Sequence, residues 1–313
     1  MSLIEKALAK QKLANQQTAN PEPKINQTPT QLKAPLDDAS KESHISPTVD
    51  TEAAFIKTQD ITQKKTNVDI ALNFEHLIER NYILDDTKNK LHQEEYRGIK
   101  RKLLGNAFGP QAKTLDNSNL IMVSSSKPNE GKTFISINLA LSIALEQDKT
   151  VLLIDSDLLR PSINTELGFE MKQGLTEYLL SEVNSLSDII YSTNINNLKI
   201  IPAGKAHSLT NELLASDKMK TLTKELAERY ADRVVIFDCP PILGVNETVI
   251  ISNFMGQAIV VVEESETKIE DVKKATSQLN EELALGLVIN KSLKSTQDSY
   301  GYYGYGYGYG AKN

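Results

Sequence analysis

Between Asn119 and Lys291 short runs of branched apolar residues alternate with longer helical stretches, and this pattern constrains the fold more than any other. The runs are LIMVSS from Leu120, VLLID from Val151, LKIIPAG from Leu198, VVIFD from Val234, AIVVVEE from Ala258 and GLVINK from Gly286. Continuous Val, Ile and Leu, rather than strict alternation with polar residues, marks strands buried on both faces, as in a parallel sheet covered by helices. The intervening stretches, such as FISINLALSIALEQ and NELLASDKMKTLTKELAERY, have helical length and spacing. The expectation is one α/β domain with a doubly wound, mostly parallel sheet.

The segment Ser126-Lys127-Pro128-Asn129-Glu130-Gly131-Lys132-Thr133 follows the first run and opens the first helical stretch. It matches the phosphate-loop pattern G-x-x-x-x-G-K-[ST] except at its first position, where Ser126 replaces Gly. Backbone N–H groups of such a loop cradle phosphate oxygens, the lysine reaches the terminal phosphates and the hydroxyl ligates Mg²⁺. The expected cofactors are ATP and Mg²⁺, with Pro128, Asn129, Glu130, Gly131, Lys132, Thr133 and Phe134 at the nucleotide. Ser126 carries a Cβ, so the first turn is expected to depart from the usual one. Asp155 and Asp157 stand just past one apolar run and Asp238 past another. Ligands of open α/β sheets bind beyond the carboxyl ends of strands, which places all three carboxylates in the same crevice. Mg²⁺ needs only one or two of them, so a spare carboxylate is available as a base.

Composition narrows the alternatives. Lys and Arg number 35 against 41 Asp and Glu, a net charge of −6, which argues against nucleic acid as a partner. The single cysteine, Cys239, excludes an internal disulfide and a cysteine-based metal cluster within one chain. No apolar run approaches the roughly 20 residues that span a bilayer. The expected location is cytoplasmic, peripheral at the inner face of the cytoplasmic membrane through a partner.

The two ends differ from the middle. Leu3, Ile4, Ala7 and Leu8 fit one short amphipathic helix, a docking element or a frayed end. Residues 15–70 are rich in Pro, Gln, Thr, Asn, Ser and Lys and are expected to be disordered. From Val68 to Leu104 the spacing is helical. The last stretch, Tyr300 to Asn313, holds six tyrosines and five glycines and reads as a mobile tail.

A loop of form S-x-P-x-E-G-K-T, then h-h-h-D-x-D-x-x-R-P-S, then I-P-A-G…N-E-L-L-x-S, then V-I-F-D-C-P-P, with a tyrosine-rich end, resembles the bacterial tyrosine kinases of exopolysaccharide synthesis. The opening MSLIEKAL is similar to that of the separate cytoplasmic autokinases of exosortase-associated loci. The resemblance implies a P-loop fold related to the MinD/ParA ATPases and autophosphorylation of tail tyrosines in trans with MgATP. It also implies a membrane-spanning polysaccharide co-polymerase as activator, a homo-oligomeric ring and a cognate tyrosine phosphatase. The implied phosphoacceptors are Tyr300, Tyr302, Tyr303, Tyr305, Tyr307 and Tyr309. On the same resemblance Lys132, Asp155, Asp157 and Arg160 are catalytic. Asp155 is the base on the acceptor hydroxyl, assisted by Asp157, and Thr133, Asp155 and Asp238 surround Mg²⁺, Asp238 through water. Glu94, Arg97 and Lys100 resemble the family's E-x-x-R-x-x-R oligomerisation motif, with Lys replacing the last Arg. Lys cannot make the bidentate fork of Arg, which weakens that contact.

The implied organisation is 1–70, short helix and linker; 71–115, helical lead-in with the oligomerisation motif; 116–291, P-loop kinase domain; 292–313, tyrosine-rich tail. Two other functions stay open. Lys127 sits where the MinD/ParA group carries its signature lysine, which points to a dimeric ATPase without kinase activity. A nucleotide-dependent adaptor for polysaccharide export is the third reading.

Overall fold

The computed structural model describes residues 68–84, 90–229 and 232–292. Its centre is a seven-stranded sheet in the order β3-β4-β2-β5-β1-β6-β7. The strands are β1 (Leu120–Ser125), β2 (Thr150–Asp155), β3 (Tyr191–Ser192), β4 (Leu198–Ile201), β5 (Arg233–Asp238), β6 (Gln257–Glu263) and β7 (Ala284–Asn290). All neighbours are parallel except β3 and β4. This is the expected doubly wound, mostly parallel α/β fold.

Side-chain alternation along the central strands divides the interior into two cores. Leu120, Met122, Leu152, Ile154, Val235 and Phe237 face one core. Ile121, Val123, Val151, Leu153, Val234 and Ile236 face the other. Both faces are dry, so the strand sequences carry no polar period.

The helices, in chain order, are α1 (Phe74–Glu79), α2 (Lys90–Phe108), α3 (Lys132–Ala144), α4 (Ile163–Leu167), α5 (Leu175–Leu179), α6 (Thr210–Leu214), α7 (Asp217–Glu228), α8 (Glu247–Ser252) and α9 (Ile269–Thr276). Helix α3 is buried from Ile135 to Ala144 because β1, β2 and β5 lie on one side and α2 on another. No helix among the described residues is long and apolar enough to cross a membrane.

Three expectations are corrected. The stretch from Val68 to Leu104 is not one helical segment. Residues 68–72 form an extended strap in which Asp69 and Ile70 donate backbone N–H to the Ser192 carbonyl, and Ile70 bridges Thr193. Asn73 ends the strap by capping α1, its Oδ1 accepting from the Glu75 and His76 amides. The expected single helix after Asn211 is two, because the Ser216 side chain caps Met219 N–H and restarts the helix as α7. Finally, β7 is not covered on both faces: Leu285, Leu287 and Ile289 are exposed. The expected N-terminal helix, most of the expected linker and the tyrosine tail beyond Ser292 lie outside the described residues.

Candidate active site

The phosphate loop links β1 to α3, and two left-handed residues set its path. Asn129 (φ 68°) and Gly131 (φ 96°) make the turns, whereas Ser126 is not among the residues with positive φ. Ser126 therefore fits its position without strain, and its first turn does not require glycine. A Cβ on Gly131 would lie 2.0 Å from Asn290 Nδ2, so any larger residue there would also displace the Asn290 side chain that braces the loop. Side chains from both sides brace the loop. Glu130 Oε2 accepts from the Lys127 amide at 2.8 Å, Asn290 Nδ2 donates to the Glu130 carbonyl at 2.9 Å and Lys291 Nζ to the Asn129 carbonyl at 2.7 Å.

Lys132 lies where three carboxylates from the ends of β2 and β5 converge. Its ammonium donates to Asp157 Oδ2 at 3.0 Å and stands 3.8 Å from Asp238 Oδ2. Burial opposes the charge, but Asp238, Asp157 and Asp155 outweigh it and hold the ammonium above its ordinary range. Thr133 Oγ1 donates to Asp238 Oδ2 at 2.7 Å and lies 2.9 Å from Ser162 Oγ. Asp238 Oδ1 accepts from Ser136 Oγ at 2.9 Å. Burial raises the Asp238 carboxyl, against the pull of Lys132, Thr133 and Ser136.

Asp155 is 1% exposed and does not reach the cavity. Its Oδ2 accepts the amides of Ser162 and Ile163, each at 3.0 Å, and its Oδ1 that of Asp157 at 3.2 Å. Burial and Asp238, its neighbour in register across β2 and β5, push this carboxyl up to about 7. Asp155 thus shapes the loop from Ser156 to Ile163 from beneath. Asp157 lines the cavity and accepts the Arg160 amide at 3.0 Å.

The cavity measures about 640 Å³. Pro128, Asn129, Gly131, Lys132, Thr133 and Phe134 form one wall, and Asp157, Leu159, Arg160, Ser162 and Glu166 another. The third wall, Pro240, Pro241, Leu243, Gly244 and Val245, is apolar. Glu130 is buried behind the loop, braced by the Thr267 hydroxyl. Among the described residues no group of three or more His, Cys, Asp or Glu could hold a metal ion by itself. A hydroxyl, carboxylates and a lysine side by side instead suit a hydrated Mg²⁺ that arrives with phosphates.

Sequence reasoning missed several neighbours. Glu166 accepts from Tyr82 Oη at 2.8 Å and pairs with Arg80, tying the segment just after α1 to the cavity wall. No local signal marks it. Ser136 was visible as a polar residue in an apolar helix, one turn past Lys132. Cys239 is a fully buried thiol pushed up to about 12 by burial, as expected of a structural cysteine.

The expected interface motif divides. Glu94 and Arg97 are exposed on α2 and pair with each other. Lys100 is buried, donating to the Ser142 carbonyl at 2.9 Å and pairing with Glu146. Lys127 is engaged within its own chain, by Asp271 of α9.

A parallel sheet with a phosphate loop at the end of β1 and acidic ends on β2 and β5 defines a P-loop nucleotide-binding protein. A family model described as an AAA domain matches residues 118–300. Tyrosine-protein kinase YwqD of Bacillus subtilis is 33% identical over 229 residues, covering 72% of this chain and 92% of that protein. Tyrosine-protein kinase CpsD of Streptococcus pneumoniae is 37% identical over 203 residues, 63% of this chain and 86% of that protein. The solved BceF tyrosine kinase domain superposes with a TM-score of 0.58 at 26% identity, covering 70% of this chain and 90% of that one. The chain belongs to the bacterial tyrosine-protein kinases, within the P-loop AAA-domain family.

Proposed function

We propose that this chain is a MgATP-dependent autokinase that phosphorylates Tyr300, Tyr302, Tyr303, Tyr305, Tyr307 and Tyr309 of a neighbouring copy. In this reading it acts in exopolysaccharide polymerisation and export. It assembles as a ring, is activated by a membrane-spanning co-polymerase and is reset by a tyrosine phosphatase. The observation that carries the reading is Lys132, held between Asp157 and Asp238, in a cavity that the apolar segment of Pro240, Pro241, Leu243, Gly244 and Val245 also lines.

The residues present suit the nucleotide. Lys132 would neutralise the terminal phosphates, and the phosphate-loop amides would hold their oxygens. Thr133 and Asp238 would hold the metal, which would offset charge developing on the transferred group. A tyrosine hydroxyl, with a pKa of about 10, is a weak nucleophile until a carboxylate accepts its proton. Asp155 has the raised proton affinity of a base, but its oxygens are committed to backbone amides away from the cavity. Access comes before affinity in choosing a base, so Asp157 accepts the proton and Asp155 positions the loop that carries it. Leu159, Leu243 and Val245 offer the ring an apolar seat, and Arg160 a cation beside it. Glu94 and Arg97 are the exposed part of the motif available to a neighbouring copy. Lys127, occupied by Asp271 in its own chain, gives no support to a cross-dimer ATPase.

Transfer between copies is tested by mixing two variants with MgATP. One carries Lys132→Ala with its tail intact, and the other is active with its six tail tyrosines replaced by Phe. Phosphotyrosine on the Lys132→Ala chain is the expected result. An unmodified Lys132→Ala chain beside an active partner would refute transfer in trans.

A further inference from the structure

The sheet ends on β7, whose described strand partner is β6 alone. Register sets Leu285 beside Ala258, Leu287 beside Val260 and Ile289 beside Val262, so the three share one face. Ala275 of α9 and Leu279 beyond it cluster with Ala258 and Val260 on that face. The cover does not extend to β7: Leu285 is 45% exposed, Leu287 56% and Ile289 65%. Ala284, Gly286 and Val288 point the other way. An apolar strand with an open backbone edge is a template for another strand.

The chain holds a segment whose pattern matches this edge. The described residues stop at Ser292, two past the end of β7, and residues 293–313 follow. Within them Tyr303, Tyr305, Tyr307 and Tyr309 alternate with Gly304, Gly306 and Gly308. A period of two sets all four tyrosines on one face of an extended strand and the glycines on the other.

We propose that residues 303–309 of the unphosphorylated tail add to the free edge of β7 as an antiparallel strand, with the tyrosine rings over Leu285, Leu287 and Ile289. Residues 291–302 make the return, and a direct return of this kind gives antiparallel pairing, since parallel pairing needs a crossover. Aromatic rings beside branched aliphatic side chains are favoured cross-strand pairs. Glycine alone weakens a strand, but here the glycines fall on the side where β7 itself is small, at Ala284 and Gly286. Tethering favours the chain's own tail over that of another copy through its high effective concentration. One consequence rests on the kinase reading above: the docked tail is withheld from the active site. Each phosphate, adding a charge of about −1.5 to −2, disfavours its return to an apolar stripe.

Amide hydrogen exchange on the full chain, phosphatase-treated and without nucleotide, tests the docking. Amides 303–309 should exchange at least about tenfold more slowly than in a free peptide of the same sequence, whatever the protein concentration. Leu287→Glu with Ile289→Glu, both on exposed positions, should abolish that protection while β1 and β5 stay protected. In MgATP the same double variant should autophosphorylate faster at first. Tail amides exchanging at the peptide rate would overturn the proposal. So would protection that grows with concentration, which would assign the edge to a second copy. Protection without any phosphotyrosine in MgATP would leave the docking standing and remove the kinase reading instead.

Discussion

At the scale of residues, the site is an electrostatic arrangement around one buried ammonium. Lys132 is hydrogen-bonded to Asp157 and close to Asp238, while Asp155 is held beneath by three backbone amides. Burial first, and then the neighbouring Asp238 carboxylate, raise the Asp155 carboxyl to about 7 from its ordinary 3.8. A group whose folded pKa is raised stabilises the fold fully below its unfolded pKa and loses that contribution as pH climbs through the folded value. The protein should therefore lose stability between about pH 4 and pH 7, and Asp155→Asn should flatten that slope. Thermal melts of both proteins across this range check it, and parallel slopes would contradict it. The placement of Lys132 and Thr133 beside the acidic strand ends was legible in the sequence because a phosphate loop sets those residue types at that spacing. Which of Asp155 and Asp157 lines the cavity was not. Asp155 ends β2 and Asp157 lies two residues beyond it, and only the loop's return from Ser156 to Ile163 decides which carboxylate faces the cavity.

At the scale of elements, α2 shows one helix serving two ends. Tyr96, Lys100 and Leu103 are buried, whereas Glu94 and Arg97 face outward. The Lys100 ammonium reaches the Ser142 carbonyl in the last turn of α3, an acceptor left unpaired by the helix end, where a cation is favoured. Lys100→Met should cost about 1–3 kcal/mol, because it strands that carbonyl and Glu146. Arg97→Ala removes only an exposed pair and should stay within about 1 kcal/mol. Urea denaturation separates the two, and equal losses would contradict the assignment. The strands were legible because their apolar runs are continuous. The strap at 68–72 and β3 were not, because both are short and exist only by tertiary pairing, the strap with Ser192 and β3 with β4: Ile70 and Leu72 look helical in spacing yet are buried beside Ser192 and Asn194. The break before α7 could have been read from Ser216, a good N-cap.

At the scale of the whole molecule, the parallel order β4-β2-β5-β1-β6-β7 gathers the carboxyl ends of β1, β2 and β5 on one side. Residues far apart in sequence, Lys132, Asp157 and Asp238, meet there because adjacent parallel strands finish together. This topology was inferable from strand–helix alternation, since each parallel pair needs a covering crossover. The exposed edge at β7 was not, because an apolar run looks the same whether one face is covered or two. The central claim is that this crevice transfers phosphate to the chain's own tyrosines. The full chain incubated with MgATP, beside Lys132→Ala at matched concentration, and mapped by tandem mass spectrometry tests it most directly. The account predicts phosphate on tyrosines between Tyr300 and Tyr309, reduced at least about 10²-fold in the variant. Unmodified tyrosines in the active chain, or undiminished phosphotyrosine in Lys132→Ala, would contradict it.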